Sequence, residues 1–121
     1  MNFKNHYIYY INGKFVPSQD AKISFEDGAF QRGNAIFETI RFNKNHLFSI
    51  NSHMQRLRDG LNYLEFQINK TDDELISLIQ DTINHNKLKS GAIKLMISNN
   101  FDINDPFNSK INIYISIRSI K

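Results

Sequence analysis

Isoleucines at alternate positions, Ile111, Ile113, Ile115 and Ile117, with Asn112, Tyr114, Ser116 and Arg118 between them, restrict this chain more than any other feature. Side chains of an extended strand point alternately to opposite faces, so the run predicts a strand with one apolar and one mixed face. "GAIKLMIS" (91–98) sets Ile93, Leu95 and Ile97 against Ala92, Lys94 and Met96. Ala35 to Phe42 sets Ile36, Ile40 and Phe42 against Phe37, Thr39 and Arg41. Glu38 falls within the apolar row, and the sequence leaves its partner open. A sheet that is apolar on one face needs a second layer to cover it.

Two segments can supply that layer. At about 3.6 residues per turn, the stretch from Ile50 to Leu64 gathers Ile50, Met54, Leu57, Leu61 and Leu64 on one stripe, with Asn51 or Ser52 placed to cap the first turn. A second helix is expected from Thr71, whose hydroxyl stands at capping-box spacing from Glu74, and its stripe is Leu75, Ile76, Ile79 and Ile83. "YIYYING" closes on Asn12-Gly13 and "KFVP" returns, a hairpin signature. "NKN" turns the chain into "HLFSI" as a second hairpin. "SFEDGAFQRGNA" reads as a loop with a short helical turn, and "NNFDINDPFNS" as a polar loop. The expected fold is a single α+β domain over residues 1–121. Its mostly antiparallel sheet packs two helices on one face and carries Phe37, Thr39, Arg41, Lys94, Tyr114 and Arg118 on the other.

Composition narrows the function classes. The 121 residues are 40% hydrophobic, enough for one core. Absence of cysteine excludes disulfides, thiolate nucleophiles and cysteine metal sites. No stretch approaches the roughly 18 apolar residues of a membrane span, and "MNFKNHYIYY" lacks the apolar run of a signal peptide, so a cytoplasmic protein is expected. The net charge is +3, but the basic residues are scattered, which argues against a nucleic-acid surface.

Arg56 is out of place on the shoulder of the first helix's stripe, beside His53, Gly60 and Tyr63. By itself such an arginine can pack its stem beside the core and leave its head in water. The surrounding words say more. "FQRGNAIFETIRF" (30–42) and "HMQRLRDGLNYLEF" (53–66) resemble the amino-terminal part of the class IV, fold-type IV pyridoxal-phosphate enzymes. That family includes branched-chain and D-amino-acid aminotransferases and aminodeoxychorismate lyase. The resemblance implies that Arg56 faces the phosphate of pyridoxal 5'-phosphate, and that Phe37, Arg41 and Lys94 lie on the substrate side. A guanidinium suits the first role, because it can give a phosphate two parallel charge-assisted hydrogen bonds. Packing against another domain remains open for Phe37 and a surface charge for Arg41, while His53 reads as structural.

The resemblance also implies amino acid or keto acid substrates, a homodimer, and a cofactor-linked lysine beyond Lys121. No catalytic residue is therefore expected within residues 1–121, and no activity from them alone. Two departures leave the substrate open. Ala92 and Lys94 stand where branched-chain enzymes usually carry tyrosine and arginine, and Asn99 stands where D-amino-acid enzymes and lyases tend to carry an arginine-glycine pair. The rival expectation is a stand-alone, non-catalytic module for dimerisation or anion binding.

Overall fold

A computed structural model of the chain describes residues 6–102 and 105–120. Its strands are β1 (Ile8–Ile11), β2 (Lys14–Pro17), β3 (Ala35–Asn43), β4 (His46–Leu47), β5 (Ser90–Asp102) and β6 (Asp105–Arg118). They form a single six-stranded sheet in the order β2-β1-β6-β5-β3-β4, and every pairing is antiparallel. The helices are α1 (Gly28–Arg32), α2 (Ile50–Tyr63) and α3 (Asp72–Asn84).

The expected α+β architecture is present. Ile40, Phe42, Ile93, Leu95, Ile97, Ile113, Ile115 and Ile117 make the buried face of the sheet. Onto it α2 brings Met54, Leu57 and Leu61, and α3 brings Leu75, Ile79 and Ile83. Leu57, Leu75 and Ile79 have no exposed surface. Gly60 lets α2 lie close to β3, since a Cβ there would come 2.8 Å from Ile36 Cδ1.

Local signals explain most boundaries. Asn12 and Gly13 take positive φ angles of 46° and 94°, which the β1–β2 turn requires. Thr71 Oγ1 accepts from Glu74 N while Glu74 Oε1 accepts from Thr71 N, the capping box expected for α3. Asn86 holds the first hairpin to α3: its Oδ1 accepts from Ile8 N at 2.8 Å and its Nδ2 donates to Ile8 O at 2.9 Å.

Two expectations need correction. The residue before α2 that acts as its cap is Ser49, in the left-handed region and without a side-chain cap bond, so neither Asn51 nor Ser52 caps it. "NNFDINDPFNS" is not a loop along its length, because β5 continues to Asp102 and β6 starts at Asp105, with a register shift between Asn100 and Asp102. Strand pairing satisfies backbone groups whatever the side chains are, so polarity alone did not reveal it. Residues 103 and 104 lie outside the described chain.

Candidate functional site

The two sides of β3 carry different chemistry. Phe37, Thr39 and Arg41 point to the face that α2 and α3 leave uncovered, and the register places Met96 and Tyr114 beside Phe37, and Lys94 and Ser116 beside Thr39. Lys94 Nζ lies 4.5 Å from the Phe37 ring centroid, a cation–π contact on an exposed ring. A concavity of about 290 Å³ beside it is lined by Thr39, Ala92, Lys94, Ser116 and Arg118. Among the described residues, no carboxylate forms an ion pair with Arg41, Lys94 or Arg118. Three expected substrate-side residues, Phe37, Arg41 and Lys94, thus share one face.

Arg56 is on the other face. Glu38 points toward α2, where its carboxylate is 6% exposed, and Arg56 clasps it sideways. Arg56 Nη2 donates to Oε1 at 2.7 Å, and Nε donates to Oε2 at 2.9 Å and to Oε1 at 3.1 Å. His53 Nδ1 completes the cluster 2.7 Å from Oε1. An ionised carboxylate can only accept, so this nitrogen carries the proton. The partner that the sequence left open for Glu38 is therefore the pair His53 and Arg56. Tyr63, from the same helix shoulder, is 86% exposed and takes no part in the cluster.

Despite the carboxylate pair, the Arg56 side chain remains 70% exposed. Among the described residues, Nη1 makes no hydrogen bond. The free end of the guanidinium can therefore chelate an anion while its side edge is held. Burial works to raise the Glu38 pKa, but the hydrogen bonds and charges of Arg56 and His53 outweigh it and hold the carboxyl below its ordinary value of 4.5. Glu38 thus stabilises the fold at pH values above that ordinary value, and the contribution is lost as pH falls through the depressed folded value. The melting temperature is expected to drop on acidification below about pH 4.5, and Glu38→Leu should remove that part of the drop in a pH series of thermal melts.

A third polar group was not anticipated. Asp27, fully buried, is the N-cap of α1, with Oδ1 accepting from Ala29 N at 2.8 Å. Its Oδ2 accepts from Ser98 Oγ at 2.9 Å, Asn112 Nδ2 at 3.2 Å and the Tyr114 hydroxyl. Burial first, then the bond to Asp27 and its charge, push the Tyr114 phenol well above its ordinary value. This cluster fastens α1 over the end of the open face where Ser98 pairs with Ala35. Its sequence signal was an aspartate directly before a glycine-bounded helical turn.

Among the described residues, only β4 borders the outer side of β3, and it pairs with Phe42 and Asn43 alone. Over Phe37 and Glu38 the edge of the sheet is open among the described residues. Arg56 lies on one side of that open stretch, and Phe37 with Lys94 on the other. Among the described residues, no group of three histidine or carboxylate side chains could hold a metal ion. No helix among them is long and apolar enough to cross a membrane.

Comparison with known proteins bears on this arrangement. A family model for amino-transferase class IV matches residues 35–121. The chain is 35% identical over 89 residues to a putative branched-chain-amino-acid aminotransferase of Methanocaldococcus jannaschii, covering 74% of this chain and 31% of that protein. It is 34% identical over 84 residues to D-alanine aminotransferase of Staphylococcus epidermidis, covering 69% of this chain and 30% of that one. The branched-chain amino acid aminotransferase of Escherichia coli superposes with a TM-score of 0.84 at 28% identity, over 96% of this chain and 40% of that chain. The corresponding enzyme of Thermobaculum terrenum, solved in its PLP form, shares the fold with a TM-score of 0.79 at 18% identity, over 98% of this chain and 41% of that chain. The chain thus spans less than half the length of each of these four proteins.

Proposed function

The chain belongs to the class IV amino-transferase family, and from that premise we propose that it is the amino-terminal domain of a pyridoxal-phosphate enzyme acting on amino and keto acids. Arg56 holds the cofactor phosphate, and Phe37, Arg41 and Lys94 line the substrate side. The observation that carries this reading is the half-engaged guanidinium: Glu38 occupies the Nε–Nη2 edge, while among the described residues Nη1 makes no hydrogen bond and the side chain is 70% exposed. The open edge of β3 supports it further, since among the described residues no strand walls off Phe37 and Glu38 on that side.

The cofactor, when bound, supplies an electron-withdrawing ring that stabilises negative charge at the substrate carbon. This chain contributes placement. Arg56 fixes the phosphate end, which sets the distance of the reacting end from the sheet. Phe37 offers an apolar wall at the open edge, and Lys94 and Arg41 offer positive charge to a substrate carboxylate. The lysine that carries the cofactor belongs, on this reading, to a part of the enzyme outside residues 1–121, and these residues alone turn over no amino acid. The intact enzyme is a homodimer, for which the exposed Phe25 and Phe30 supply apolar surface. The unpaired cations of the open face favour one rival, a stand-alone anion-binding module.

Phenyl phosphate, a simple phosphate monoester, tests the central assignment. Titrated into the chain and followed by NMR, it is expected to shift the Arg56 side-chain signals, and Arg56→Ala should weaken binding by about tenfold or more. Unchanged affinity in that variant would remove Arg56 from the phosphate site. Tight binding that instead depends on Lys94 and Arg41 would favour the rival module.

A further inference from the structure

We propose that Glu38 is a positioning residue for Arg56, fixing the guanidinium by its Nε–Nη2 edge so that Nη1 is presented to the phosphate. This rests on the phosphate reading of Arg56 given above.

A carboxylate is costly to bury at this position. Glu38 stands between Ile36 and Ile40 on the helix-covered side of β3, where the next inward residue, Phe42, is also apolar. A leucine or isoleucine would continue that row, and buried ion pairs seldom outperform well-packed apolar residues in stability. Packing therefore does not call for a glutamate here. Orientation does. An arginine with 70% of its side chain in solvent would ordinarily sample many rotamers, and a phosphate would have to freeze it on binding. Here Oε1 and Oε2 accept from Nε at 3.1 and 2.9 Å, and Oε1 accepts from Nη2 at 2.7 Å, which fixes the plane of the guanidinium before any ligand arrives.

The carboxylate is itself held. His53 Nδ1 donates to Oε1 at 2.7 Å from one turn earlier on α2. The same nitrogen lies 3.4 Å from Arg56 Nη2, but both atoms carry protons, so this approach is a contact and not a bond. Gly60 keeps α2 close enough to β3 for the clasp to reach, its missing side chain leaving room for Ile36. Strand, helix and imidazole together leave one end of Arg56 available.

Electrostatics and positioning predict opposite signs, which makes the proposal testable. A negative charge beside an anion site weakens it, so if Glu38 only neutralises Arg56, its removal must tighten phosphate binding. If Glu38 positions Arg56, its removal must loosen binding. The expected result is that Glu38→Leu binds phenyl phosphate about three- to tenfold more weakly, and that Glu38→Gln, which restores an acceptor without the charge, recovers most of the loss. Equal or tighter binding by Glu38→Leu overturns the proposal. In the unmodified chain, NMR should show slow rotation of the Arg56 guanidinium about its Nε–Cζ bond, and fast rotation overturns the proposal without any variant. Arg56→Ala separates the two readings. If it leaves binding unchanged, the phosphate site itself is misplaced, whereas if it abolishes binding and Glu38→Leu does not weaken it, only the positioning role falls.

Discussion

Gly28→Ala is expected to destabilise the chain by at least about 3 kcal/mol and to lower its melting temperature by about 10 °C or more. The added Cβ would sit 1.8 Å from the backbone oxygen of Asn99 and 3.0 Å from its carbonyl carbon. Neither side can retreat cheaply. Asn99 lies in β5 and is paired with Ile111 of β6, so moving its carbonyl disturbs the longest ladder in the sheet. The other side is α1, fastened by Asp27 and by Gly28 N donating to Asn100 Oδ1 at 3.2 Å. A domain of this size has about 5–15 kcal/mol of stability in total, so the substitution consumes a large share of it. Gly33→Ala provides the contrast: its φ of 64° is unfavourable for alanine, but nothing lies within 4 Å of the new atom, so about 1–2 kcal/mol is expected there. Melting temperatures of the two variants in the same buffer decide the matter, and a Gly28→Ala loss no greater than that of Gly33→Ala would contradict the steric account.

Asp27→Ala is expected to cost about 3 kcal/mol or more, from buried donors left without an acceptor and a lost helix cap. The substitution strips the acceptor from the hydroxyls of Ser98 and Tyr114 and from the amide of Asn112, and removes the cap of α1 at Ala29 N. Donors left buried without partners cost about 1–3 kcal/mol each before relaxation, and some of these recover by bonding one another, as Asn112 Nδ2 already approaches Ser98 Oγ at 3.3 Å. Asp27→Asn should cost less, because a flipped amide can keep its oxygen toward Ser98 and Tyr114 and forfeit mainly the cap, worth about 1 kcal/mol. Urea unfolding of the two variants is expected to give that order, and an Asp27→Asn loss as large as that of Asp27→Ala would show that charge, and not acceptor geometry, is what this cluster needs.

These two residues also show where sequence reading succeeds and where it stops. Elements governed by neighbours close in sequence were visible: the alternating isoleucines of β6, the Thr71–Glu74 box, the Asn12-Gly13 turn. Ser49 escaped because its capping position uses backbone conformation without a side-chain bond, so no preferred residue type marks it. Asp27 escaped for a different reason. Its partners Ser98, Asn112 and Tyr114 are 71, 85 and 87 residues away, and only the pairing of Ser98 with Asn112 in the sheet brings them together. Phe37, Arg41 and Lys94, proposed for the substrate side, could be placed on one face from alternation alone. Which face Arg56 occupies depended on the docking of α2 against β3, and that in turn depended on Glu38, whose spacing of 18 residues from Arg56 follows no local period.

The sheet order has a last consequence, for how the molecule assembles. β1 is bordered by β6, with Tyr10 opposite Ile115, so of the described strands the earliest in sequence waits for the latest. As the polypeptide emerges from a ribosome, β3, α2, α3 and β5 can associate while the opening hairpin still lacks its inner neighbour. Closing a loop of that length is a late and slow event. Removal of either β1 or β6 would therefore leave the same seam unstitched.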